Sequence, residues 1–306
     1  MRTILLWMAR NPWLKERVPR LPFVRRAVRS FMPGEDLAAA IAAAEVTRSI
    51  GVKAAFTKLG ENVSDLAEAQ SVADHYRTVL DEIAARGLDA EISIKLTQLG
   101  YDLDVEAAFG HFGAIARRAA EVGTWAWIDM EGSAYVEGTI AFYERARAAH
   151  ENVGLCLQAY LHRTPADVQR LLPIQPAIRL VKGAYDEPPT IAYRAGPEVD
   201  AAFLAIAITF APAVRAGTAR FMAGTHDVEL IEQIARFGEA IGLEPGRIEV
   251  EMLYGIRADQ QRKLAARGFD TRCLIAYGEH WYPWYMRRLA ERPANVIFAL
   301  RQVLPW

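Results

Sequence analysis

Short apolar runs recur along the chain, and nearly every one ends in a charged or polar residue. In order they are 52–57 (VKAAFT), 91–96 (EISIKL), 125–131 (WAWIDME), 153–160 (VGLCLQAY), 177–183 (AIRLVKG), 219–225 (ARFMAGT), 247–253 (RIEVEML) and 272–277 (RCLIAY). Amphipathic stretches of helical length separate them, at 65–86, 105–122, 136–150, 164–172, 197–216, 227–241 and 258–267, with 36–50 ahead of the first run and 280–303 after the last. Eight such runs alternating with helices predict an α/β fold, a parallel (βα)8 barrel. In that architecture the strand ends carry the chemistry. Here those ends present Lys95, Asp129, Gln158, Lys182, His226, Glu251 and Tyr277.

Local signals refine the boundaries. Pro33-Gly34 marks a turn before the first barrel helix, so residues 1–34 read as a terminal arm and 35–306 as one barrel domain. Thr164-Pro165 reads as a helix N-cap followed by proline at the first helical position. Pro293 is expected to break the last helix. No internal repeat, low-complexity tract or linker interrupts the alternation.

Composition narrows the function classes. The chain has 306 residues, 52% hydrophobic and 24% charged, which suits one globular barrel with additions. A formal net charge of −1 gives nucleic-acid binding no electrostatic support. Cys156 and Cys273 each fall inside a strand run and are expected to be free and buried. The six histidines lack metal-ligand spacing, so no metal is expected. The arm departs from the rest: Arg2, Arg10, Lys15, Arg17, Arg20, Arg25, Arg26 and Arg29 face the single acid Glu16, with Trp7, Trp13, Phe23 and Phe31 interleaved. The sharper reading is peripheral contact with a membrane surface. The plainer reading, which we favour, is a helical arm packed on the barrel with its arginines in water.

Four constellations carry candidate chemistry. In YGEHWYPWYMRRLAER (277–292), helical spacing lets Arg287 and Arg288 both reach Glu291, and two adjacent guanidinium groups make a fork for a small carboxylate. Exposed versions of such pairs are mere surface salt bridges, but the surrounding aromatics argue for a partly buried setting. Lys95 and Asp129, at neighbouring strand ends, fit an ion pair closing the barrel mouth as well as they fit a ligand site. RLVKGAY (179–185) ends a strand in bare backbone that a flat or phosphorylated group can approach, yet it is no standard nucleotide fingerprint. In GTHD (224–227), Thr225 and Asp227 can cap a helix and His226 can face a phosphate; taken alone the tetrapeptide is a plain cap.

Together these segments resemble the proline dehydrogenase family in its short monofunctional bacterial form. The matching stretches are ISIKLTQLG (92–100), WIDMEGS (127–133), QAYLHRT (158–164), RLVKGAYDEP (179–188), GTHD (224–227), EMLYGIR (251–257) and YGEHWYPWYMRRLAERPAN (277–295), in family order, with weaker likeness from PGE (33–35) to KLGE (58–61). The resemblance implies a distorted (βα)8 barrel holding FAD non-covalently and oxidising L-proline to Δ1-pyrroline-5-carboxylate, the first step of proline catabolism. It implies that Arg287, Arg288 and Lys95 bind the substrate carboxylate, that Asp129 pairs with these cations, and that Glu291 holds the arginine pair. Tyr185, Leu253 and Tyr277 would pack on the substrate ring. Gln158, Arg179, Val181, Lys182, Gly183, Ala184, Thr225 and His226 would line the FAD site, with Glu291 at its edge. Electrons would pass to a quinone, in the cytoplasm or at the inner face of its membrane, and the length leaves no room for a fused aldehyde dehydrogenase. Glu251 stands where the family more often has glutamine, and no residue is marked as a general base.

Two readings compete. Lys95 or Lys182 at a strand end could form a Schiff base, as in a barrel lyase or aldolase. A non-catalytic barrel could bind a flavin or amino acid as a sensor.

Overall fold

The computed structural model describes residue 5, residues 7–9 and residues 11–291. The expected break at Pro293 therefore lies outside the described residues. Eight parallel strands close into a barrel in sequence order: β1 (Lys53–Lys58), β2 (Ala90–Ile94), β3 (Ala126–Ile128), β4 (Val153–Gln158), β5 (Ala177–Val181), β6 (Arg220–Gly224), β7 (Glu249–Leu253) and β8 (Asp270–Tyr277). β8 pairs back onto β1, with Ala55 opposite Leu274. Several apolar runs overshoot their strands. The 91–96 run becomes a tight turn at Leu96–Leu99, and the ladder of β3 stops at Ile128 although Met130 and Glu131 stay buried. Side chains at the barrel mouth remain covered after backbone pairing ends, so hydrophobicity alone overestimates strand length.

The helices are α1 (Pro12–Arg17), α2 (Pro22–Val28), α3 (Leu37–Ser49), α4 (Leu66–Arg86), α5 (Val105–Val122), α6 (Val136–Ala149), α7 (Thr164–Leu171), α8 (Gly196–Ala216), α9 (Val228–Ala240), α10 (Ala258–Ala266) and α11 (Trp281–Glu291). Aspartates start several of them. Asp36, Asp65 and Asp227 accept the N–H groups of Ala39, Glu68 and Leu230 at 2.7, 2.8 and 3.3 Å. Such a cap contributes about 1 kcal/mol. Thr164 is inside α7 rather than capping it: Arg163 is the N-cap, and the Thr164 hydroxyl donates instead to the Gln158 carbonyl at 2.6 Å. α8 is long and apolar enough to cross a membrane by composition, but here it packs on β5 and β6.

Strand alternation sorts the core into two parts. Outward residues such as Phe56, Ile92, Leu155, Ile178, Val250 and Ile275 pack under the helices. Inward residues are unusually polar. Trp127 lies on the axis with Ala177 and Met222, and beneath it Glu91 accepts hydrogen bonds from Trp127 Nε1 (2.6 Å) and Arg220 (2.7 Å), with Arg272 3.2 Å away. Burial alone would push the Glu91 carboxyl upward, but Arg272 and Arg220 overcome it and hold the group below its ordinary range. Cys156 and Cys273 are free and buried, as expected.

One departure from a regular barrel positions the site. α3 packs on β8 and β1, the place that the helix after β8 normally fills. α11 instead packs against the N-terminal segment. Ala27, Val28, Phe31 and Met32 are buried against Trp281, Tyr282, Trp284 and Tyr285, and Trp281 Nε1 donates to Glu35 at 2.9 Å. The N-terminal segment still leaves Trp7 and Trp13 exposed, at 61% and 60%.

Candidate active site

The floor of the site is a buried charge network built from residues inside β2, β5 and β7 and from those that follow β2 and β3. Arg179 projects from the middle of β5, opposite Cys156 on one side and Met222 on the other, and is 2% exposed. Its guanidinium donates to Asp129, to Glu251 at 3.0 Å and to the Ser93 hydroxyl at 2.7 Å, and it lies 5.6 Å over the Trp127 ring. Ser93 in turn donates to Asp129 at 2.7 Å, and Lys95 Nζ stands 3.5 Å from the same carboxylate. Burial opposes the charge of Asp129, yet Arg179, Lys95 and the Ser93 bond together hold its carboxyl below the usual range. Glu251, taken from the sequence as a strand-end group, sits inside β7, one layer below the mouth, and is the counter-ion of Arg179. Burial outweighs that partner and raises its carboxyl.

The roof is α11. Arg287 donates to Glu61 at 2.6 Å and lies 5.5 Å over the Tyr185 ring. Glu61 follows β1 and Tyr185 follows β5, strands on opposite sides of an eight-strand barrel. A single side chain that touches both must lie across the mouth. Arg288, next on the helix, is half-buried. The Glu291 side chain lies outside the described residues, so its expected grip on the arginine pair does too. The expected pairing of Asp129 with Arg287 is replaced: Asp129 pairs with Lys95 and Arg179, and Arg287 takes Glu61. The reason is reach, since Asp129 sits on the floor and Arg287 on the roof.

A third cluster lines the rim between β5 and β6. Lys182 pairs with Asp227 at 2.9 Å and with Asp200 on α8. The Thr225 hydroxyl accepts the Asp227 N–H at 3.1 Å, so Thr225 braces a cap that Asp227 supplies, and half-buried His226 lies between them. Val181 and Ala184 are half-buried on the same rim. Gly183 has φ +118°, and a Cβ there would meet the Tyr160 ring at 2.3 Å. Gln158 donates through Nε2 to the carbonyls of Met130 and Glu131 at 3.2 and 3.3 Å, which fixes its Oε1 as a buried acceptor with no hydrogen-bond partner among the described residues.

Leu253 ends β7 and is half-buried. Tyr277 ends β8 on the parity that faces the helices, and its hydroxyl meets His75 Nε2 of α4 at 2.8 Å. Burial and nearby Lys58 push His75 down to about 4, so the ring is neutral. Sequence reasoning missed Glu61, His75, Ser93, Glu131 and Asp200. Glu61 and Glu131 both lie inside matching segments, KLGE and WIDMEGS, so their position was visible but not their partners.

A barrel whose mouth is floored and roofed by arginines narrows the choice of family. The model of the family described as proline dehydrogenase matches residues 40–301. The chain belongs to the proline dehydrogenase family. It is an oxidoreductase of the class acting on CH–NH donors. Proline dehydrogenase 1 of Bacillus subtilis subsp. natto is 32% identical over 304 residues, covering 99% of both chains. Proline dehydrogenase of Deinococcus radiodurans is 32% identical over 308 residues, covering 99% of this chain and 97% of its own. Bifunctional protein PutA of Escherichia coli is 25% identical, with 92% of this chain matching 25% of that protein. Among solved structures, proline utilization A from Bdellovibrio bacteriovorus superposes with a TM-score of 0.81 at 19% identity, covering 94% of this chain and 38% of that one. That likeness supports the (βα)8 fold.

Proposed function

We propose that this family member oxidises L-proline to Δ1-pyrroline-5-carboxylate with FAD as the hydride acceptor, and that a quinone re-oxidises the cofactor. The observation that carries the reading is Arg287 spanning the mouth from Glu61 to Tyr185 above the Lys95–Asp129–Arg179 floor. A small carboxylate entering that space meets cations above and below. Lys95, Arg287 and Arg288 would bind it, and α11 would exclude water once the substrate is in place. Tyr185, Leu253 and Tyr277 would bound the ring. Tyr277 is held by His75 and so would act as a fixed wall.

The residues at the β4–β6 rim fit a flavin. Gln158 Oε1 is a buried acceptor in want of a donor, and the imide N–H of an isoalloxazine is one. Arg179 supplies a fixed, paired cation in the floor, Lys182 a cation at the rim, and the backbone from Val181 through Gly183 and Ala184 a face of little bulk. Thr225 and His226 flank the start of α9. FAD held there would supply the acceptor for the hydride of proline C5, and the surrounding residues would meet the negative charge that the transfer leaves. Arg179 would offset that charge without reorganising, because Asp129, Glu251 and Ser93 already hold it. Both lysines considered for a Schiff base face carboxylates instead. A cytoplasmic setting suits two free cysteines. The exposed Trp7 and Trp13 beside Lys15, Arg17 and Arg20 support peripheral contact of the N-terminal arm with an anionic membrane, where a quinone resides.

The deciding experiment is the visible spectrum of the purified protein before and after anaerobic L-proline. Bleaching of a flavin band is the expected result. A flavin band that persists would refute proline as substrate. The absence of flavin after reconstitution with FAD would refute the cofactor and revive the Schiff-base chemistry.

A further inference from the structure

We propose that Glu131 is the base that takes the proton from the ring nitrogen of the substrate, an inference that rests on the proline reading above. Proline at neutral pH carries a protonated nitrogen, which cannot push a hydride off C5. The reaction therefore needs a proton acceptor at the mouth, and the acids there differ sharply in fitness for the task. Asp129 is bound to Arg179, Lys95 and Ser93. Glu61 is spent on Arg287, and Glu251 lies a layer below beside Arg179. Of Asp129, Glu61 and Glu131, Glu131 alone makes no ion pair among the described residues.

Its placement suits the role. Glu131 follows Asp129 by two residues on the segment leaving β3 and is 5% exposed. Its oxygens accept the Thr97 N–H at 3.2 Å and the Thr97 hydroxyl at 2.8 Å, so the turn that follows Lys95 fixes the carboxylate in orientation. The groups facing it come from every side of the mouth. They are Lys95 after β2, Glu61 after β1, Thr97 on the turn, the Gln158 amide on its own carbonyl, and Tyr185, which feels Glu61, Arg287, Glu131 and Asp129 together. Burial pushes the carboxyl up to about 7, against the pull of Lys95 and of the Thr97 bonds. A base tuned near the working pH is the efficient one.

The step balances simply. One N–H bond of the ring ammonium breaks and an O–H bond forms on Glu131. The freed lone pair then forms the N=C5 bond as C5 gives its hydride, with both electrons, to the flavin. The product leaves as the protonated imine. A negative substrate carboxylate beside Glu131 also raises the proton affinity of the base when it is needed.

The test is Glu131→Gln, whose amide can keep both Thr97 contacts, beside Glu131→Asp, which keeps a carboxyl. Flavin content and binding of tetrahydrofuran-2-carboxylate, the analogue with oxygen in place of the ring nitrogen, are expected to stay within about threefold in Glu131→Gln, because neither involves the transferred proton. Its kcat/KM for proline at pH 7 is expected to fall about 100-fold or more. The acid limb of the pH profile should vanish, with activity climbing only as alkali frees the amine. Glu131→Asp should restore the limb, displaced in pH, whatever the folding of the other variant. A Glu131→Gln profile that keeps the acid limb and near-parental kcat/KM would overturn the assignment, as would a Glu131→Asp profile without the limb. Failure of the underlying reading is seen separately, as a parent flavin that proline does not bleach.

Discussion

Replacing Arg179 by methionine keeps much of the side-chain volume and deletes the cation that ties the barrel floor together. The change strands Glu251, whose side chain is 3% exposed, and leaves Asp129, at 16%, with only Lys95 and the Ser93 hydroxyl. Breaking a buried ion pair from one side costs about 3–5 kcal/mol, because the partner stays buried and uncompensated. For a chain of 306 residues, unfolding entropy of about 0.6 kcal/mol/K converts that loss to a fall in Tm of about 5–8 °C at neutral pH. The pH dependence is the sharper signature. Burial already raises the Glu251 carboxyl, and Arg179 is the main force opposing it. Without Arg179 the folded-state value rises further above the unfolded value of about 4.3, so the folded variant binds the extra proton. Its stability is retained below about 4.3 and falls as pH climbs through the folded value. Asp129 works in the opposite sense in the parent: its lowered carboxyl contributes stability above about 3.9, lost on acidification, and the variant forfeits part of that contribution. The gap between parent and variant should therefore be wider at pH 8 than at pH 5. Calorimetric or circular-dichroism melts of both proteins, matched for flavin content, give the answer. A penalty under about 2 °C at pH 8, or one equal at the two pH values, would refute the reasoning.

Three further changes test other parts of the site. Arg288→Ala is expected to weaken proline binding by about 2–5 kcal/mol, and an unchanged KM for proline would remove that residue from the carboxylate site. Glu61→Ala releases Arg287 from a partly exposed pair worth about 1 kcal/mol, so steady-state kinetics should show KM rising about fivefold with kcat nearly constant. A loss confined to kcat would place Glu61 elsewhere in the mechanism. Gly183→Ala combines φ +118° with a Cβ 2.3 Å from the Tyr160 ring and should cost about 2 kcal/mol or more, seen as a Tm drop of about 3 °C without flavin present. An unshifted melt would mean that the backbone there relaxes freely.

Much of this protein is written in local sequence. Near-continuous apolar runs such as VGLCLQAY and ARFMAGT suit strands buried on both faces, and the aspartates at 36, 65 and 227 stop the chain from entering a helix earlier. Strand order followed from that alternation, because parallel strands joined by helices stack in sequence. The ordered motifs carried the family. What local sequence could not contain was partnership. Arg287 and Glu61 are 226 residues apart, His75 and Tyr277 202, Arg179 and Glu251 72. Helical spacing made Glu291 the natural partner of Arg287, and only the crossing of α11 over the mouth delivered Glu61. Spacing likewise left Glu131 as one more acid in WIDMEGS. Barrel closure decided that Asp129 would pair with two cations while Glu131, though it faces Lys95, makes no ion pair among the described residues, because ion pairing depends on distance through space, and closure brings together groups that the chain keeps far apart.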